Sequence, residues 1–226
     1  MWRVLVPLVV VFVLGPVPEP TPTVLPTAEP PTRELLYVQA GWVTSASGRL
    51  YEGTSPTRCA DGSIVYTREG DLWRDGKRLT STAEVERNPS CVVDVVYEVD
   101  GYIWRLSGTS RVRLFEGEDP ALHADGRIAY RARFQGVKAV YVWDGSHTLT
   151  YMGIGAHPNW GDVLYLHGDY TLGWWDGTIH WLDEPGHSPC WTPEGLYYVW
   201  GDLSVQRWDI YKDGVVVVED AMSPAW

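Results

Sequence analysis

The sequence predicts an all-β protein assembled from repeated four-stranded units. Three observations predict it. Six prolines recur at similar intervals beyond residue 50, a tyrosine recurs inside a short apolar run after almost every one of them, and Asp-Gly turn signals separate the runs. No stretch carries a sustained 3.6-residue apolar period, so helices should be few. The 13 Trp and 13 Tyr, against 3 Phe and 3 Met, suit short strands packed through large amphipathic rings.

At the start of the chain, Met1-Trp2-Arg3 precedes an uncharged apolar run from Val4 to Leu14. Residues 1–15 read as a signal sequence or an N-terminal membrane anchor. The run is shorter than the roughly 20 apolar residues of a membrane span. It is followed by Gly15-Pro16-Val17-Pro18 rather than a small-residue cleavage pattern, so removal and retention both stay open. Residues 16–32 contain prolines 16, 18, 20, 22, 26, 30 and 31, which favour an extended linker with nothing to bury, a stalk or a disordered leader. Residues 33–226 should form the folded domain. It is expected to be exported (periplasmic, cell-surface or extracellular) and to meet a membrane only through the N-terminal segment.

The repeat decides the fold. Pro56, Pro89, Pro120, Pro158, Pro189 and Pro224 are preceded by Ser55, Asn88, Asp119, His157, Ser188 and Ser223. Two positions past each proline stand Arg58, Cys91, Leu122, Trp160, Trp191 and Trp226. A turn follows, clearest at Asp61-Gly62, Asp125-Gly126 and Glu194-Gly195, and shortened near Asp94 and Asp162. Next comes a β-branched and aromatic run carrying Tyr66, Tyr97, Tyr130, Tyr165 or Tyr198, the expected signature of a short strand. A third run carries Trp73, Trp104, Tyr141, Trp174 or Tyr211, and most of these end in a second Asp-Gly turn. A fourth short strand returns to the next proline. Four strands per unit of roughly 30–40 residues is propeller logic.

The two ends of the domain complete each other. Leu35-Leu36-Tyr37, Gly41-Trp42-Val43 and Gly48-Arg49-Leu50-Tyr51 supply second, third and fourth strands without a first. Ser223-Pro224-Ala225-Trp226 is a first strand without a unit. The prediction is a six-bladed β-propeller of four-stranded blades, its ring closed by the C-terminal strand joining the N-terminal blade and burying Trp226. Closure removes the exposed edges of an open array.

The Ser-Pro-x-Trp opening, the Asp-Gly turn, the Ile-x-Tyr strand and the aromatic strand before a second Asp-Gly resemble the TolB-type repeat, a relative of the WD-type repeat. The resemblance covers about residues 35–226 and implies a six-bladed ring. Arg58 and Cys91 depart from it where the opening Trp would stand. It implies little about function, because propellers serve as binding platforms, ligand sites and enzyme domains.

The formal charge of -11 argues against nucleic acid as a partner, since phosphates call for clustered Lys and Arg. Cys59, Cys91 and Cys190 fall in or just after first strands. In an exported protein, Cys59 and Cys91 on neighbouring units either bridge, leaving Cys190 free, or all three pack as small buried thiols. No Cys-x-x-Cys pair or histidine ligand spacing appears, so no metal and no cofactor are expected. No catalytic residue stands out. His187-Ser188 lacks the surroundings of a nucleophile elbow, and Glu116 and Glu118 lack a setting that would separate their pKa values.

Asp119, His157 and His187 belong to the loops leading into first strands, on one face near the channel. The connections between second and third strands lie on that same face. They bring Arg131, Phe134, Tyr170, Trp200, Arg207 and Trp208, a mixture typical of a partner surface on a rigid scaffold, unless it folds back over unit edges. The function expected is a monomeric, non-catalytic scaffold that binds a protein or peptide through this face. The alternatives are a carbohydrate or small-ligand module and, behind it, an enzyme with its site at the channel mouth.

Overall fold

The computed structural model describes residues 34–225 apart from 135, 147–148, 161–163, 169–170, 176–177 and 203–206. The apolar N-terminal run, the linker and Trp226 lie outside the described residues. Among those described, every regular element is a strand, and the strands form four-stranded antiparallel sheets in a propeller.

The first sheet holds β1 (Leu36–Gln39), β2 (Trp42–Ser45) and β3 (Gly48–Glu52). The second holds β4 (Thr54–Arg58), β5 (Ile64–Arg68), β6 (Asp71–Arg74) and β7 (Lys77–Arg78). The third holds β8 (Glu86–Cys91), β9 (Val95–Val99), β10 (Tyr102–Ser107) and β11 (Ser110–Glu116), the fourth β12 (Glu118–Leu122), β13 (Ile128–Phe134), β14 (Val137–Trp143) and β15 (Leu149–Ile154). The fifth holds β16 (Ala156–Trp160), β17 (Leu164–Gly168), β18 (Thr171–Trp175) and β19 (Ile179–Pro185). The sixth holds β20 (His187–Thr192), β21 (Gly195–Asp202), β22 (Arg207–Lys212) and β23 (Val215–Val218). Then β24 (Met222–Ala225) pairs antiparallel with β1, giving the first sheet the order β24-β1-β2-β3.

Local chemistry explains the hairpins. Ala40-Gly41, Glu69-Gly70 and Asp100-Gly101 each place two left-handed residues between a second and a third strand, as do Asp75-Gly76 and Asp213-Gly214 between a third and a fourth. Such two-residue turns match the twist of the strands they join. Each first strand, by contrast, contains a proline that cannot donate to the ladder. The pairing with the second strand shifts register around that proline in all six sheets. A bulge of this kind accommodates the proline and re-aims the side chain before it.

The repeat tyrosines Tyr66, Tyr97, Tyr130 and Tyr198 are buried. Against three of them packs a glycine three residues ahead of the proline. A Cβ on Gly53, Gly117 or Gly186 would come within 2.6, 2.5 or 2.6 Å of a carbon of Tyr66, Tyr130 or Tyr198. Two sheets depart from this arrangement: the third carries Glu86 at that position and the first carries Ala221.

The residue two past the proline fastens its sheet to the one before it. Trp160 Nε1 donates to the Ala121 carbonyl at 2.9 Å, the Leu122 amide donates to Ser90 Oγ at 2.8 Å, and the Trp191 amide donates to Asn159 Oδ1 at 3.0 Å. Arg58, where the repeat pattern has Trp, donates from Nη2 to the Glu34 carbonyl at 3.1 Å. Cys91 does the same work covalently, through a disulfide with Cys59, while Cys190 is a free, buried thiol. The two positions that depart from the resemblance are thus fasteners of a different chemistry.

Candidate functional site

Six side chains converge where the first strands begin. Ser55, Asn88, Asp119, His157, Ser188 and Ser223, one from each sheet, line a cavity of about 170 Å³ together with the prolines that follow them. All six have φ between 46° and 55°. Non-glycine residues in this region cost about 1–3 kcal/mol each, and the α region is disfavoured ahead of proline as well. Asn and Asp tolerate it best, because their short polar side chains bond locally. The bulge holds each residue in this state, and a hydrogen-bonding group therefore faces the cavity from every sheet.

These groups are linked around an arc. Ser55 Oγ donates to Asn88 Oδ1 at 3.5 Å, Asn88 Nδ2 donates to Asp119 Oδ1 at 2.8 Å, and Asp119 Oδ2 lies 3.4 Å from His157 Nδ1. Asp119 is 7% exposed, and its Oδ2 accepts no hydrogen bond of good geometry although Arg131 Nη2 lies 3.2 Å away. Glu98 supports the arc from behind. Its Oε2 accepts from Asn88 Nδ2 at 3.3 Å and from the Asp119 amide at 3.2 Å.

Arg131 also pairs with Glu118, which Lys138 reaches at 3.1 Å. Burial alone would raise the Glu118 pKa, but hydrogen bonds from Lys138 and Arg131 hold its carboxyl below the usual carboxylate range. On the other side of the mouth, His187 Nδ1 is 3.0 Å from Ser188 Oγ, and its ring meets Trp208 edge-on at 5.1 Å. Burial, with a smaller contribution from His157, brings the His187 pKa down to about 4, so the ring is neutral at pH 7.

The structure therefore brings Asp119 and His157 into the cavity lining, with Arg131 against Asp119 and His187 against Ser188. Two of the aromatics named from sequence pack against the sheets. Trp200 packs beside Tyr198 and Leu172, and Trp208 beside Val199 and Ile210, both half-buried. Arg207 is exposed and held by Asp209 and Glu219, each at 3.0 Å. Phe134 is the last residue of β13, and Tyr170 lies outside the described residues. Among the described residues, no group of three or more His, Cys, Asp or Glu gathers to hold a metal ion. Sequence reasoning named Asp119 and His157 of this pre-proline set but not Ser55, Asn88, Ser188 or Ser223. The available signal was its composition: Ser, Asn, Asp and His all carry hydrogen-bonding side chains, and Asn and Asp tolerate a left-handed backbone.

No family model matches this chain, and no curated protein matches it. Among solved structures it is similar to a gluconolactonase from Xanthomonas campestris, with a TM-score of 0.50 and 16% identity over 81% of this chain and 77% of that one. The likeness carries the all-β propeller fold alone. It nevertheless corrects the expectation of a non-catalytic protein- or peptide-binding scaffold. That solved propeller is an enzyme, so the fold by itself gives no ground for that reading. Of the loop-face tryptophans on which the expectation rested, Trp200 and Trp208 are half-buried and pack against the sixth sheet's hydrophobic clusters.

Proposed function

We propose that this chain takes a small, hydroxylated ligand, of monosaccharide size or less, at the polar mouth of its ring. One observation carries the reading: six hydrogen-bonding side chains, one from each sheet and all held left-handed ahead of a proline, face a single cavity of about 170 Å³. That volume falls below the roughly 300 Å³ at which drug-sized pockets begin. Its lining offers hydroxyl, amide, imidazole and carboxylate groups.

The same reading treats the six sheets as blades of one closed ring of the TolB-type repeat. Its supports are the succession of first strands, in which β4 contacts β8, then β12, β16, β20 and β24, which returns to β4, and the pairing of β24 with β1. We place its work in an exported, oxidising compartment, a reading that the Cys59–Cys91 disulfide supports.

Saturation-transfer NMR with glucose and sorbitol at millimolar concentration tests the ligand site. Transfer to at least one of them is expected with the wild-type domain. It should be lost in Ser188→Asn, which narrows the mouth with a residue suited to the same backbone, and weakened in Asp119→Asn. Absence of transfer from the wild type, or equal transfer in all three proteins, would overturn the proposal.

A further inference from the structure

We infer that the ligand of the mouth carries an anionic group, a carboxylate or a phosphate, received by Arg87 in a groove that leads outward between the second and third sheets. The inference rests on the mouth being a ligand site. The groove measures about 260 Å³ and adjoins the mouth, since Ser55 and Asn88 line both. Two hydroxyls, Thr54 and Thr67, line it, as do two arginines.

The arginines differ in what already holds them. Arg68 is committed: Glu52 lies 3.1 Å away, Glu69 3.8 Å, and its guanidinium sits over the Trp73 ring at 5.3 Å. Arg87 is exposed, and its partner across the ladder is Glu98. That carboxylate is turned to Asn88 and to the Asp119 amide instead. Among the described residues no carboxylate pairs with Arg87.

The groove's own acids are occupied. Glu86 accepts from the Leu72 amide at 3.0 Å and from the Thr80 hydroxyl, and lies 3.5 Å from Arg111; Glu69 faces Arg68. The uncommitted charge at the groove is therefore positive, in a chain whose formal charge is -11. A guanidinium beside hydroxyls, one step from a polar mouth, recognises an anionic oxygen by charge-assisted hydrogen bonds.

Glucose, glucuronate and glucose 6-phosphate form a matched set for the test, because the acids differ from the neutral sugar only at the sixth carbon. Calorimetric titration should show one of the acids binding about tenfold more tightly than glucose. Whichever it is assigns the group as carboxylate or phosphate. In Arg87→Gln that advantage should disappear while glucose affinity stays unchanged. Lys77→Gln, which removes an exposed cation from β7, should leave the advantage intact. If glucose binds and both acids bind no better, or if the advantage survives Arg87→Gln, the anionic subsite is wrong and the mouth reading stands. If none of the three binds, both readings fall.

Discussion

The second and third sheets are fastened differently from the fifth and sixth. Between the former, β4 and β8 are joined by the Cys59–Cys91 disulfide, with Arg74 Nη2 donating to both sulfurs at 3.1 and 3.3 Å. Beside it Glu86, 1% exposed, takes the position where other sheets have glycine, and Arg111 bridges it to the Tyr97 hydroxyl, 2.7 Å from Arg111 Nε. Between the latter, the Trp191 amide donates to Asn159, and Gly186 lies flat against Tyr198 and Leu172. The polar junction is also the one with a groove opening beside it. A buried carboxylate with its partners cannot close against the neighbouring sheet as tightly as a bare glycine against a ring. The covalent bond lies inside the buried cluster of Val65, Leu72, Val95, Tyr97, Val99 and Leu106 that spans the two sheets, so it adds to apolar packing there, and the close-packed junction manages without one.

Three measurements break or sharpen this contrast. The largest effect should come from Cys59→Ser with Cys91→Ser. The bond closes a loop with a sequence separation of 32, for which chain entropy gives about 3–4 kcal/mol. The melting temperature should fall by roughly 10 °C, and reductant should reproduce the loss in the wild type, since Cys190 has no partner to lose. A melt insensitive to reductant would mean that packing alone holds the polar junction.

Next comes Gly186→Ala. The added methyl would meet the Tyr198 ring at 2.6 Å, and overpacking of this kind costs about 1–3 kcal/mol. Denaturant unfolding should show that loss with an unchanged slope. Full stability would indicate that the sixth sheet yields more readily than its packing implies.

The smallest effect concerns pH. His187 has a folded pKa of about 4 against an ordinary value of 6.5, so between those values the unfolded chain binds the extra proton. Stability should fall as pH drops from about 6.5 and level off near pH 4. The amount should be about 1 kcal/mol, because the ring is part-exposed and solvent discounts the shift. Chemical denaturation from pH 7 to pH 4 should show this slope in the wild type and a flatter one in His187→Gln.

Much of the fold was legible because its signals are local. Asp75-Gly76 and Asp213-Gly214 report tight turns through backbone preference alone, and the runs ending in Tyr66, Tyr97 and Tyr130 report short strands through alternation and β-branching. The candidate site was legible only in pieces. Asp119, His157 and His187 were named for their place in loops ahead of first strands; Asp119 and His157 line the cavity, and His187 lies beside Ser188. Trp200 and Trp208 were named for the partner face, and the structure has both half-buried against the sixth sheet's clusters; sequence position near a loop says nothing about how far a ring is covered. Arg87 drew no notice, since only the diversion of Glu98 toward Asn88 and Asp119 leaves it without a carboxylate.

The sequence by itself determined the strands, their turns and the recurrence of a polar residue ahead of each proline. These follow from φ/ψ preference, side-chain period and the missing N–H of proline, all set within a few residues. Only the tertiary structure decided that six such residues, spaced 31 to 38 apart, would face one cavity, and that Cys59 would meet Cys91. Those outcomes depend on how separate sheets sit against one another. No local preference of the chain encodes that distance.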